Sequence, residues 1–149
     1  MDVIVPGSPT RLCGAAIKAN DLILVTVVRE AERFAIDAKA SSRLTLSDDT
    51  DQAAVRAFFA LLQAFVRDNG IDRIAIRGRQ TKGRFAGGST SFKIEGLIQL
   101  LDGCTVTIMT PQTIAARIKR HPVEMPASAR VYQRDAFEVA CVAMAGADY

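Results

Sequence analysis

The sequence predicts an α/β fold: a mixed sheet of three antiparallel strands followed by parallel βα units, with helices on both faces. Two observations predict it. Before residue 47, three β-rich runs are separated only by short turn signals. After it, segments of helical and strand period alternate in the order α-β-α-β-α-α. Strands joined by tight turns pair antiparallel, whereas strands separated by a helix need a crossover and lie parallel.

The first two runs, Arg11–Lys18 (RLCGAAIK) and Leu22–Val28 (LILVTVV), flank Ala19-Asn20-Asp21, turn-forming residues that predict a β-hairpin. A third strand lies within Glu32–Leu46. Its FAIDAKA stretch alternates apolar and polar residues, as a half-exposed edge strand does. Ser47-Asp48-Asp49-Thr50 supplies helix caps, with Gln52 three residues after Asp49 as in a capping box. Ala53, Val55, Phe58, Phe59, Leu62, Phe65 and Val66 then recur at helical spacing until Asn69-Gly70 stops the helix. Ile71–Arg77 reads as a buried strand, and Phe92–Leu101 as a helix capped within Ser89-Thr90-Ser91. Cys104–Met109 is another strand. Thr110-Pro111 opens a helix with proline in its first turn, ending near Arg120. A loop with Pro122 and Pro126 leads to a last helix, Tyr132–Ala145, whose apolar face is Ala136, Val139, Ala140, Ala143 and Met144.

The 149 residues suffice for one domain with a real core, expected over 11–149, with 1–10 as an N-terminal tail or arm broken by Pro6, Gly7 and Pro9. The 49% hydrophobic and 23% charged fractions suit a globular chain, and the net charge of +3 does not by itself imply nucleic acid. No apolar run reaches the roughly 18 residues of a membrane span, and the first residues lack the pattern of a signal peptide. Cys13, Cys104 and Cys141 are scattered among apolar residues, which points to buried thiols in a reducing compartment. A cytoplasmic protein with no membrane partner is expected.

Chemistry concentrates in Ile71–Leu101. The strand IAI runs into a glycine-punctuated loop, and from Arg73 to Lys93 the charges are Arg73, Arg77, Arg79, Lys82, Arg84 and Lys93, with no acid among them. Backbone N–H groups and cations converging at a strand end make an anion site. The candidate phosphate-binding residues are Lys18, Arg77, Arg79, Lys82, Arg84, Gly87, Gly88, Ser89 and Lys93, with Phe85 placed to stack on a base. The stretch is not a P-loop, because G-x-x-x-x-G-K-[ST] is absent. The competing reading is a solvated loop whose charges serve solubility.

The element order and three segments resemble the ribonuclease H-like fold in its RuvC-type Holliday-junction resolvase branch. Leu12-Cys13-Gly14-Ala15-Ala16-Ile17-Lys18 stands where that branch has a strand, a glycine and a catalytic aspartate. Ala75-Ile76-Arg77 stands where it has a strand ending in a catalytic glutamate. Asp135-Ala136-Phe137-Glu138-Val139-Ala140 resembles the C-terminal helix that brings the last acids to the metals. The chain is also similar to a small bacterial family of unknown function, with stretches like C-G-x-E-I-K-G and I-R-E-R-x-T-K-G-K-F-A-G-G. It departs from that family at Ala16 and Gly78, where glutamates are expected.

Two-metal phosphodiester hydrolysis needs several carboxylates around two cations about 3.5–4 Å apart. The aligned positions offer Ala16, Arg77, Asp135 and Glu138, so only the last helix supplies acids, and these two are the candidate catalytic residues. Arg77, together with Lys18, is expected to pair with Asp135 or Glu138 in place of a metal. The resemblance therefore implies a non-catalytic or degenerate RuvC-like domain that binds nucleic acid or another phosphate-bearing ligand through the basic loop. No cofactor is expected.

Two alternatives stay open. One is an active nuclease or nucleotide phosphohydrolase, requiring Mg²⁺ and drawing acids from Asp21, Asp72, Glu95, Asp135 and Glu138. The other is an interaction module that forms a homodimer through the glycine-containing helix Phe92–Leu101. The partners allowed by these readings are DNA, RNA and a second copy of the chain.

Overall fold

The structure is a computed structural model and describes residues 10–79 and 88–146; positions 1–9 of the expected N-terminal arm lie outside the described residues. The elements are β1 (Arg11–Lys18), β2 (Asp21–Glu30), β3 (Arg33–Thr45), α1 (Gln52–Asn69), β4 (Arg73–Arg77), α2 (Ser89–Gln99), β5 (Thr105–Met109), α3 (Pro111–Arg120) and α4 (Arg134–Ala145). A single 3₁₀ turn, Val131–Gln133, leads into α4.

The five strands form one sheet in the order β3-β2-β1-β4-β5. The β1–β2 and β2–β3 pairs are antiparallel, and the β1–β4 and β4–β5 pairs are parallel. The first hairpin closes from Lys18 to Asp21 through Ala19-Asn20, with Ala19 in the left-handed region at φ 54°. β3 is an edge strand, as its alternation predicts. Thr10, expected in the arm, instead extends the ladder by accepting the Arg29 N–H at 2.9 Å.

Strand parity divides the core into two layers. Cys13, Ala15, Leu22, Leu24, Ile74 and Ile76 face α1 and α2, where they meet Phe58, Leu62, Ile94 and Ile98. Leu12, Ala16, Ile23, Val25, Val27 and Ala75 face α3 and α4, where they meet Ile114, Phe137, Ala140 and Met144. Cys13 and Cys141 are buried and Cys104 is partly so. Burial pushes the Cys13 thiol up to about 12 and raises Cys104 and Cys141 as well, so none is poised as a nucleophile.

Two caps differ from expectation. The N-cap of α1 is Asp51, which accepts the Ala53 N–H at 3.3 Å. Asp48 is drawn into a local turn with Thr50, and Asp49 accepts the Thr90 hydroxyl at 3.1 Å. Helix α2 starts at Ser89 with Gly88 as its cap, three residues before the expected start. The stop at Gly70 (φ 61°) and the Thr110-Pro111 opening of α3 are as predicted. Among the described residues, no helix is long and apolar enough to cross a membrane. This is the ribonuclease H-like topology.

Candidate functional site

The sheet brings three of the motif residues to one end and one face. Ala15 pairs with Ile76 in parallel register, so Ala16 and Arg77 follow side by side. Ile74 and Ile76 point toward α1 and α2, so parity turns Arg73, Ala75 and Arg77 toward α4. Lys18 is exposed at the end of β1, on the same face by the same parity.

Gly14 decides how closely α4 lies over these strands. A Cβ built there would fall 1.8 Å from the Ala136 carbonyl oxygen and 3.0 Å from the Ala140 Cβ. The helix backbone therefore rests directly on β1, a contact that only glycine permits. This seating delivers Asp135, in the first turn of α4, to the end of β4. There an Oδ2 of Asp135 lies 4.0 Å from an Nη1 of Arg77, with side chains 29% and 38% exposed. One helical turn on, the Glu138 carboxyl is pushed above the usual glutamate range. Burial is the main cause, with Arg134, Asp135 and Arg77 as neighbouring charges. The expected pairing of Arg77 with Asp135 is thus present. Among the described residues no acid pairs with Lys18.

These residues do not fit the pair of magnesium ions that the resemblance implies. Ala16 offers a buried methyl group, Arg77 a positive charge and Asp135 a carboxylate already facing that charge, which leaves Glu138 as the one acid at these positions without a facing cation within ion-pair distance among the described residues. Position 78 is no replacement, since glycine there carries no carboxylate. The other acids considered lie elsewhere. Asp21 is held by Arg43 at 2.6 Å and by the Thr45 hydroxyl at 2.6 Å, which lowers its pKa. Asp72 precedes β4, at the opposite end of that strand from Arg77. Among the described residues, no group of three or more His, Cys, Asp or Glu could hold a metal ion.

The basic segment is anchored at both ends. At its start, Arg79 Nη1 donates to both carboxylate oxygens of Glu95, at 3.2 and 3.3 Å. These side chains are only 18% and 12% exposed, and the guanidinium lies 3.1 Å from the centroid of the Phe92 ring. At its far end, Ser91 donates its hydroxyl to the Gly88 carbonyl at 2.6 Å, while Thr90 and Lys93 reach back to Asp49. Ser89 and Gly88 are exposed at the opening of α2. The candidate residues Lys82, Arg84 and Gly87, and Phe85 between them, lie outside the described residues.

Sequence reasoning missed the Arg79–Glu95 pair, which spans 16 residues across the loop and has no periodic signature. It read Arg79 as a free cation, and the structure shows it engaged within the chain. It equally missed Asp49 as an anchor for α2.

No curated protein matches the sequence. Among solved structures, RuvC of Thermus thermophilus superposes with a TM-score of 0.68 at 11% identity, over 87% of this chain and 90% of RuvC. The same species' RuvC in complex with a Holliday junction substrate gives 0.62 at 12% identity, over 87% and 90%. The yeast mitochondrial Holliday junction resolvase Ydc2 gives 0.62 at 10% identity, over 93% of this chain and 78% of that one. At such identities the likeness is one of fold. The DUF3010 family, described as a protein of unknown function, matches residues 10–143. The chain therefore belongs to the DUF3010 family and has a ribonuclease H-like fold similar to that of RuvC.

Proposed function

We propose that this protein binds nucleic acid, or another phosphate-bearing ligand, at the carboxyl ends of β1 and β4, without cutting it and without a divalent metal. The observation that carries the reading is the Arg77 guanidinium facing Asp135 at the strand end where the resemblance aligns a metal-binding glutamate. An arginine there attracts phosphate directly, where a carboxylate would need a metal between. Lys18 ends the neighbouring strand, Gly88 and Ser89 open α2, and the sequence between Arg77 and Lys93 supplies Lys82 and Arg84 as further cations. The fold similarity to RuvC, a protein described in complex with a Holliday junction, supports branched DNA as the first substrate to test. The free thiols of Cys13, Cys104 and Cys141 support a reducing, cytoplasmic location as part of this proposal.

The test is fluorescence anisotropy with single-stranded, duplex and four-way-junction DNA and matching RNA at several salt concentrations. Binding that weakens steeply with salt and prefers one of these shapes is expected, because neutralised phosphates release counterions. No binding at low salt would overturn the nucleic-acid reading. A second reading, homodimerisation through α2, is favoured by the exposure of Phe92 (48%) on that helix and of Leu100 (68%) at its C-cap, and sedimentation tests it.

A further inference from the structure

The opposite end of the same sheet face carries a second cationic feature. A cleft of about 290 Å³ opens between the starts of β4 and β5 and the ends of α3 and α4. Parity places Arg73 of β4, and Thr105 and Thr107 of β5, on the face that α3 and α4 cover. Arg117 enters from α3, where its position near the helix end reads in sequence as a simple complement to the helix dipole. Its Nη1 donates to the Gly146 carbonyl at 3.3 Å, which fixes the guanidinium at the cleft wall. Met109, Ala143 and Leu12 make the remaining surface apolar. Among the described residues, no acid lines the cleft and neither arginine is in an ion pair.

We propose that this cleft is a binding site for a small organic phosphate monoester, its head group between Arg73 and Arg117 and its apolar body against Met109 and Ala143. Two guanidinium forks and two hydroxyl donors exceed what the two oxygens of a carboxylate accept. They match a dianionic head with three terminal oxygens. The volume admits such a head with a body of a few carbon atoms, and the mixed lining suits a ligand with one charged and one apolar end. Arg73 and Thr105 hold the head group at the amino ends of β4 and β5, away from Arg77, while the apolar end of the cleft reaches Met109, the register partner of Arg77.

The experiment is a ¹H–¹⁵N NMR titration of the full chain with inorganic phosphate, methyl phosphate, butyl phosphate and butyrate at constant ionic strength. Butyl phosphate is expected to shift the amides of Arg73, Thr105, Thr107, Arg117 and Gly146 together. It should bind more tightly than methyl phosphate, by at most about fourfold per buried methylene, and butyrate should bind at least about tenfold more weakly, the loss of one charge-assisted contact. Arg73→Gln, a change at an exposed position, should weaken butyl phosphate at least about fivefold with an unchanged melting temperature. Arg117→Gln should weaken it comparably even if loss of the Gly146 contact costs stability. Three results would overturn the proposal: shifts scattered over the cationic surface, equal affinity for butyrate, or undiminished affinity in Arg73→Gln.

Discussion

Replacing Gly14 with alanine tests how α4 is seated. The added Cβ would lie 1.8 Å from the Ala136 carbonyl oxygen and 2.9 Å from its carbon, both backbone atoms of α4. That is roughly 1.5 Å short of ordinary contact, so the helix must lift, because no rotamer change can relieve a backbone clash. Lifting it loosens Phe137, Ala140, Cys141 and Met144 from the sheet, all fully buried. Inserting one methyl into a well-packed core costs about 1–3 kcal/mol, and a rigid backbone partner puts this case near about 3. For a chain of this size that is a fall in melting temperature of roughly 6–12 °C, read by circular dichroism. Gly96→Ala is the control, since a Cβ there meets nothing within 4 Å inside α2. Helix propensity should then raise stability by up to about 1 kcal/mol. A Gly14→Ala protein melting within about 2 °C of the parent would refute the reasoning about the seating of α4.

Other outcomes follow from the same geometry. Glu95→Ala leaves the largely buried Arg79 without its acid and should cost about 2 kcal/mol in chemical denaturation. A loss below about 0.5 kcal/mol would show the pair to be no stronger than a surface one. Asp51→Ala should cost about 1 kcal/mol through loss of the α1 cap. Asp49→Ala should act instead on α2, through Thr90, and its effect should vanish in a Thr90→Val background. Glu138 keeps its proton to a higher pH when folded than when unfolded. Its contribution is therefore fully present below the ordinary glutamate value of about 4.3 and is lost as pH rises through the folded value. Glu138→Gln should flatten that decline in a pH series of melts and stabilise the protein at neutral pH.

Local chemistry made much of the fold legible. The β1–β2 hairpin, the Gly70 stop and the Thr110-Pro111 start each depend on a few adjacent residues, and each falls where the sequence puts it. What escaped depends on partners distant in the chain. Asp49 has the spacing of a capping residue, yet its carboxylate goes to Thr90, 41 residues away, and Asp51 caps the helix. Arg79 looks like one more loop cation until α2 folds back to bring Glu95 and Phe92 against it. Arg117 reads as a helix-end charge, and only the β5 crossover sets it opposite Arg73. At the candidate site, the Arg77–Asp135 pairing was foreseeable from a charge reversal opposite a retained acid. The closeness of α4 that makes it possible rests on the space left by Gly14.

Metal-independent binding is the claim on which the functional account stands. Its most direct measurement is anisotropy with the preferred nucleic acid across a salt series, in excess EDTA and in Mg²⁺, for the parent and a Lys82→Ala/Arg84→Ala variant. The account predicts equal affinity with and without Mg²⁺ once ionic strength is matched. It also predicts a log–log salt slope for duplex DNA that shrinks by about 2 in the variant. Affinity that appears only with Mg²⁺, or a slope untouched by the double substitution, would contradict it.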